Sequence, residues 1–146
     1  NNQLKIMKFL LNFEDIEIDI NEKAVWPDEI RNSALHYAIE NKNLEMVKFL
    51  IENNAQVNST ASIGNTPLHM ATALLQLEIV ELLLKNDAKV DQQDLEGFTP
   101  IHLILYVAKS DEKKAKQILK ELLKHCDKNC VELKSKIKKQ TALELA

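Results

Sequence analysis

Apolar and polar residues recur along this chain in a helical rhythm that returns several times. Leu4, Met7, Leu10 and Leu11 share one helical face. The pattern comes back in Leu44-Glu45-Met46-Val47-Lys48-Phe49-Leu50-Ile51 and again in Leu77-Glu78-Ile79-Val80-Glu81-Leu82-Leu83-Leu84. Spacings of three and four residues put such side chains on one stripe, which predicts amphipathic helices over 3–11, 44–52 and 78–85. A shorter helix precedes each of the last two, through Ala34, Leu35, Ala38 and Ile39 in one case and Leu68, Ala71 and Leu75 in the other. Farther on, 101–107 and 113–124 form a third such pair. One helix pair of this size cannot bury its apolar face alone, so neighbours must stack to enclose a continuous core.

The helix starts are punctuated by a repeated motif. Gly64-Asn65-Thr66-Pro67-Leu68-His69-Met70-Ala71 has a second copy 33 residues later, Gly97-Phe98-Thr99-Pro100-Ile101-His102-Leu103. A worn copy, Ser33-Ala34-Leu35-His36-Tyr37-Ala38, lies 33 residues earlier. The threonine is an N-cap, and the proline takes the first helical position, where its missing N–H is harmless. In the first copy Asn32 or Ser33 is the capping residue. A fixed period of this length marks a repeat array. On these residues the chain resembles the ankyrin repeat family. The resemblance implies an all-α solenoid of stacked helix-turn-helix units with β-hairpin-like finger loops. It also implies a non-catalytic protein-protein interaction module that binds on a concave face of finger tips and first helices.

The period divides the chain. Residues 1–30 are a partial repeat plus an extended finger loop. Full repeats follow at 31–63, 64–96 and 97–138, and 139–146 restart the motif at Thr141-Ala142-Leu143. With both ends inside a repeat, the expectation is an interior piece of a longer protein. Helices are expected to end at Asn53-Asn54 and Asp87, residues that tolerate a left-handed backbone less easily than glycine. The first finger loop is four residues longer than the second and holds Trp26, the only tryptophan, before Pro27. Trp26 either folds back over the first repeat or stands as an exposed anchor, a residue type enriched at interfaces. Six extra residues separate the helices of the last full repeat, where a bulging connector is expected, with Ser110-Asp111-Glu112 capping the helix that follows.

Composition narrows the class. The chain is 45% hydrophobic and 28% charged, as in ordinary globular domains. No apolar run approaches the roughly 18 residues needed to span a bilayer. The two cysteines, Cys126 and Cys130, are too few for a disulfide scaffold, which points to thiols and an intracellular, cytoplasmic setting (nucleus, or host cytosol for a pathogen effector). The net charge of -3 hides an asymmetry. Residues 1–107 hold 8 basic and 16 acidic side chains, whereas 108–139 hold 11 lysines against 5 acids. The basic stretch raises an alternative reading, a surface for nucleic acid or anionic lipid. Against it stand the interspersed acids and the lack of arginine and interleaved aromatics. A targeting arm of a larger effector or enzyme is a further alternative.

Chemistry within the chain is sparse. His36, His69 and His102 recur at the repeat period, so packed helices would hold them roughly 10 Å apart. Zinc ligands sit at about 2.0–2.1 Å from the metal, so these three cannot share an ion. The resemblance makes them structural, bonded to nearby backbone. His125, Cys126 and Cys130 lack the second ligand pair of a zinc site. No phosphate loop, nucleophile elbow or paired-carboxylate arrangement stands out, so neither cofactor nor metal nor small-molecule substrate is expected. Carried onto the family's pattern, the binding positions of the first finger are Asp28, Glu29, Ile30 and Asn32, beside Trp26. The second offers Ile63 and Asn65, the third Asp94, Leu95, Glu96 and Phe98. Tyr106 stands on the neighbouring first helix. Ile30, Ile63, Leu95 and Phe98 are apolar where a merely soluble array would be polar, so they either form a contact site or pack finger against finger. Acidic residues rim the same face and would suit a protein partner with a basic, partly apolar patch. The chain is expected to be monomeric. Asn21 and Asn58, at finger bases, stand where asparaginyl hydroxylation can act in such repeats.

Overall fold

A computed structural model describes residues 5, 6, 8, 19–25 and 31–126. Two short strands, β1 (Lys23–Val25) and β2 (Arg31–Ser33), pair antiparallel with Lys23 opposite Ser33. Three helix pairs follow. They are α1 (Ala34–Glu40) with α2 (Leu44–Glu52), α3 (Pro67–Ala73) with α4 (Leu77–Lys85), and α5 (Pro100–Val107) with α6 (Glu112–Lys124).

The first helices α1, α3 and α5 stack in one layer, and the second helices α2, α4 and α6 stack in another. The core lies between the layers. Leu35 and Ile39 of α1, Val47 and Leu50 of α2, Leu68 and Ala71 of α3, Val80 and Leu83 of α4, Ile101 and Ile104 of α5, and Ile118 and Leu122 of α6 all belong to it. All of these are essentially inaccessible. This is the stacked solenoid that the period of 33 predicts, with one finger closed as a β-ribbon. Neighbouring pairs are also tied by polar groups, as where Gln76 Nε2 donates to the Ile39 carbonyl at 2.8 Å.

Backbone conformation repeats with the sequence. Positive φ occurs at Lys42 and Leu75, at Asn54 and Asp87, and at Gly64 and Gly97, each pair 33 residues apart. Asn54 and Asp87 end α2 and α4 as expected. After α1, Lys42 N donates to Ile39 O and Asn43 N to Ala38 O; after α3, Leu75 N donates to Thr72 O and Gln76 N to Ala71 O. These are the paired bonds of a left-handed helix end that usually carries glycine.

The third pair differs from expectation. Its connector does not bulge: four residues, 108–111, join α5 to α6, where three join the earlier pairs. Most of the extra length instead extends α6, which has 13 residues against nine in α2 and α4. Asp111 makes this possible, because its Oδ1 accepts from Lys114 N at 3.0 Å and caps the added first turn.

Candidate functional site

The motif at each helix start holds the fingers. Thr66 N–H donates to His69 Nδ1 at 3.2 Å, and the Thr66 hydroxyl lies 2.8 Å from the same nitrogen. With Nδ1 accepting, Nε2 carries the proton and donates to Phe98 O at 3.0 Å. His36 repeats this, with Nδ1 against Ser33 and Nε2 against Asn65 O at 3.1 Å. At the third start, Thr99 N–H donates to His102 Nδ1 at 3.2 Å. Each buried imidazole of the first two repeats thus links its own helix cap to the finger of the next repeat. Burial pushes the pKa of His36 and of His69 below the usual histidine value. The neutral ring is the one this arrangement needs.

The same carbonyls close the finger turns. Asn65 O also accepts from Ala61 N at 2.8 Å, and Phe98 O from Asp94 N at 2.9 Å. Asp94 stiffens its turn further, since its Oδ1 accepts from Glu96 N at 2.9 Å and Phe98 N at 2.8 Å. Adjacent fingers touch where Leu95 N donates to Ile63 O at 3.2 Å. Gly64 allows this approach. Its φ is +80°, and a Cβ there would lie 2.7 Å from Leu95 N.

Between these two fingers and the first helices lies a groove of about 650 Å³. Ile63, Asn65, Asp94, Leu95, Glu96, Phe98 and Tyr106 line it, all of them expected contact positions, together with Ala73, His102 and Leu103. Ile63 is 63% exposed, Leu95 65% and Tyr106 69%, so finger-against-finger packing does not consume them. Phe98 is half-buried and sets its ring edge-on to His102, 5.9 Å between centroids.

A family profile described as ankyrin repeats (3 copies) matches residues 1–94. The chain belongs to the ankyrin-repeat family. No curated protein matches it. Ankyrin repeats are generally protein-protein interaction modules and typically non-catalytic. The third helix pair lies beyond the matched stretch, yet its Thr99–His102 cap reproduces the ankyrin geometry of the second.

Other expected positions fare differently. Asn32 is buried, 8% exposed, and sits in β2 opposite Ala24, which leaves little of its side chain within reach of a partner. Trp26, Asp28, Glu29 and Ile30 lie outside the described residues. Leu103 and His102 went unanticipated at the groove. Leu103 could have been found, because it precedes Tyr106 by three residues and so shares its helical face.

Asn21 and Asn58 act as clamps. Asn58 Nδ2 donates to Asp87 O at 2.9 Å while its Oδ1 accepts from Lys89 N at 2.9 Å. Asn21 spans Asn54 O and Gln56 N in the same way. The basic stretch places Lys113, Lys114 and Lys116 on the exposed side of α6, with Lys114 and Lys116 paired to Asp111 and Glu112. Among the described residues no helix is long and apolar enough to cross a membrane. Cys126 corrects the thiol expectation, being disulfide-bonded. A disulfide sulfur is no thiolate ligand, and the cysteine count no longer argues for a reducing compartment.

Proposed function

We propose that this chain binds a partner protein on its concave face, chiefly at the groove between the second and third fingers. One observation carries the reading: Ile63, Leu95 and Tyr106, from two fingers and one first helix, are all well exposed and line the same groove. Isolated exposed apolar residues need no explanation, but several converging on one concavity mark a contact surface. The groove is held in place before any partner arrives. The Asp94 turn, the Ile63–Leu95 backbone bond and the buried histidines fix its walls, so little ordering entropy remains for binding.

Affinity capture from an extract of the cells that make the protein tests this. The Leu95→Asp and Tyr106→Asp variants should each lose the bound proteins while keeping the helical circular-dichroism spectrum of the parent, since both side chains are exposed. An unchanged bound set for both variants would remove the concave-face assignment.

A further inference from the structure

Charge is distributed unevenly over the two faces. All four ion pairs among the described residues, at Glu45–Lys48, Asp111–Lys114, Glu112–Lys116 and Glu121–Lys124, lie on or at the start of second helices. On the groove side, Asp94 and Glu96 are the charged lining residues, and no described basic side chain lines it with them. Asp94 is held by its own finger through Oδ1 alone, and Glu96 is exposed at the tip. Among the described residues, then, no basic side chain faces these two carboxylates in the groove, whose wall is Phe98, Tyr106, Leu103, Leu95 and Ile63.

We infer that the groove takes a short peptide segment carrying an arginine next to a leucine-sized apolar side chain. This rests on the concave-face reading. A guanidinium fits better than an ammonium for two physical reasons. Its planar fork can donate two N–H bonds to one carboxylate, and its face can stack on an aromatic ring. Here the carboxylates of Asp94 and Glu96 share the groove with the rings of Phe98 and Tyr106, so one side chain can satisfy both demands. The neighbouring apolar residue covers Ile63 and Leu95, whose exposed area otherwise stays in water. The volume of about 650 Å³ lies in the range of concave ligand sites.

The probe is a capped peptide of about eight residues alternating leucine and arginine. Its controls are the same peptide with citrulline, the neutral isostere, or with glutamate in place of arginine. Binding is followed by amide chemical shifts and by fluorescence anisotropy. The arginine peptide should shift the amides of Ile63, Leu95, Glu96 and Phe98, and the citrulline peptide should bind roughly tenfold more weakly. A double variant, Asp94→Asn with Glu96→Gln, isolates charge, because the asparagine side chain keeps the Oδ1 acceptor that closes the finger. It should lose about the same tenfold for the arginine peptide and nothing for the citrulline one. Equal binding of the arginine and citrulline peptides, equal binding by parent and variant, shifts confined to second helices, or no binding of any peptide would each overturn the inference. So would a concentration-dependent dimer that moves the same amides without peptide, since the occupant would then be a second copy. If the charge variant still captures the same proteins that Leu95→Asp loses, the arginine is wrong and the concave face stands.

Discussion

Thr66-Pro67 and Thr99-Pro100 start α3 and α5 in the same way, with the same hydroxyl-to-imidazole distance of 2.8 Å and the same extended backbone at the cap. The two helices then end differently. α3 turns left-handed at Leu75, and α4 begins two residues later. α5 runs on into Ala108 in right-handed geometry and reaches a longer, lysine-rich α6 through the Asp111 cap. The difference separates two jobs within a repeat. The entry half, finger and first helix, builds the groove and, in the first two repeats, is tied to the next finger by a histidine hydrogen bond. The exit half needs only to return a second helix with an apolar stripe. It tolerates added residues provided they form a capped helical turn, which satisfies its own backbone groups.

The entry half breaks most severely at Gly64. An alanine there must adopt φ near +80° and push against Leu95 N, so the fingers must part and the Ile63–Leu95 bond is lost. Left-handed strain costs about 1–2 kcal/mol and a lost hydrogen bond about 1 kcal/mol, so Gly64→Ala should destabilise by about 2–3 kcal/mol. Urea titration measures the total, and the Leu95 amide should lose hydrogen-exchange protection before the core of α3 does. An unchanged midpoint together with unchanged Leu95 protection would mean the fingers are not coupled there.

A second effect, no larger than the first, comes from pH. The unfolded chain takes up protons on its histidines near pH 6.5, whereas folded His36 and His69, with pKa lowered by burial, do so only at lower pH. Between those values the unfolded state binds more protons, so stability rises with pH. The contribution is full above about pH 6.5 and is lost as pH falls below it, at up to about 1.4 kcal/mol per pH unit for each ring. Glu112 and Glu121, drawn below the carboxylate range by hydrogen bonds from Lys116 and Lys124, titrate outside this window. Urea midpoints measured at about pH 7.5 and about pH 5.5 should differ, and His69→Gln should flatten the difference. A midpoint independent of pH would sink the reading of the two rings as neutral ties between repeats.

How far the sequence could carry these conclusions depended on whether a feature repeats. Helix starts, the second helices, the buried histidines and the left-handed exits at Asn54 and Asp87 were legible because a 33-residue period states each of them more than once. Gly64 was legible as a turn but not as a contact, since its closest neighbour, Leu95, belongs to the next finger. The burial of Asn32 was hidden for a related reason: it lies in a strand pair formed by a loop of unusual length, which gives no period to read. In the third pair, six added residues were visible but not their placement. Asp111 capping decides that, and the neighbouring Ser110 is nearly its equal as a cap by residue type. The groove lay between these cases. Its exposed apolar members stood out by type, whereas Leu103 needed the helical face to place it beside Tyr106.

The smallest effect sharpens the difference between the exits, because the same substitution should change sign between them. Lys42 is exposed and sits at φ 53°, where a Cβ is penalised and no side-chain packing is at stake. Lys42→Gly removes that penalty and should stabilise by about 0.5–1 kcal/mol, net of the freedom glycine adds to the unfolded chain. Ala108 stands just past α5 with φ -54° and ψ -28°. Glycine gains nothing in that geometry and costs unfolded-state entropy, so Ala108→Gly should destabilise by about 0.5–1 kcal/mol. Thermal and urea midpoints of the two variants, measured side by side, should move in opposite directions. If both move the same way, glycine content alone governs the response, and the two exits are not the distinct backbone solutions that their dihedral angles describe.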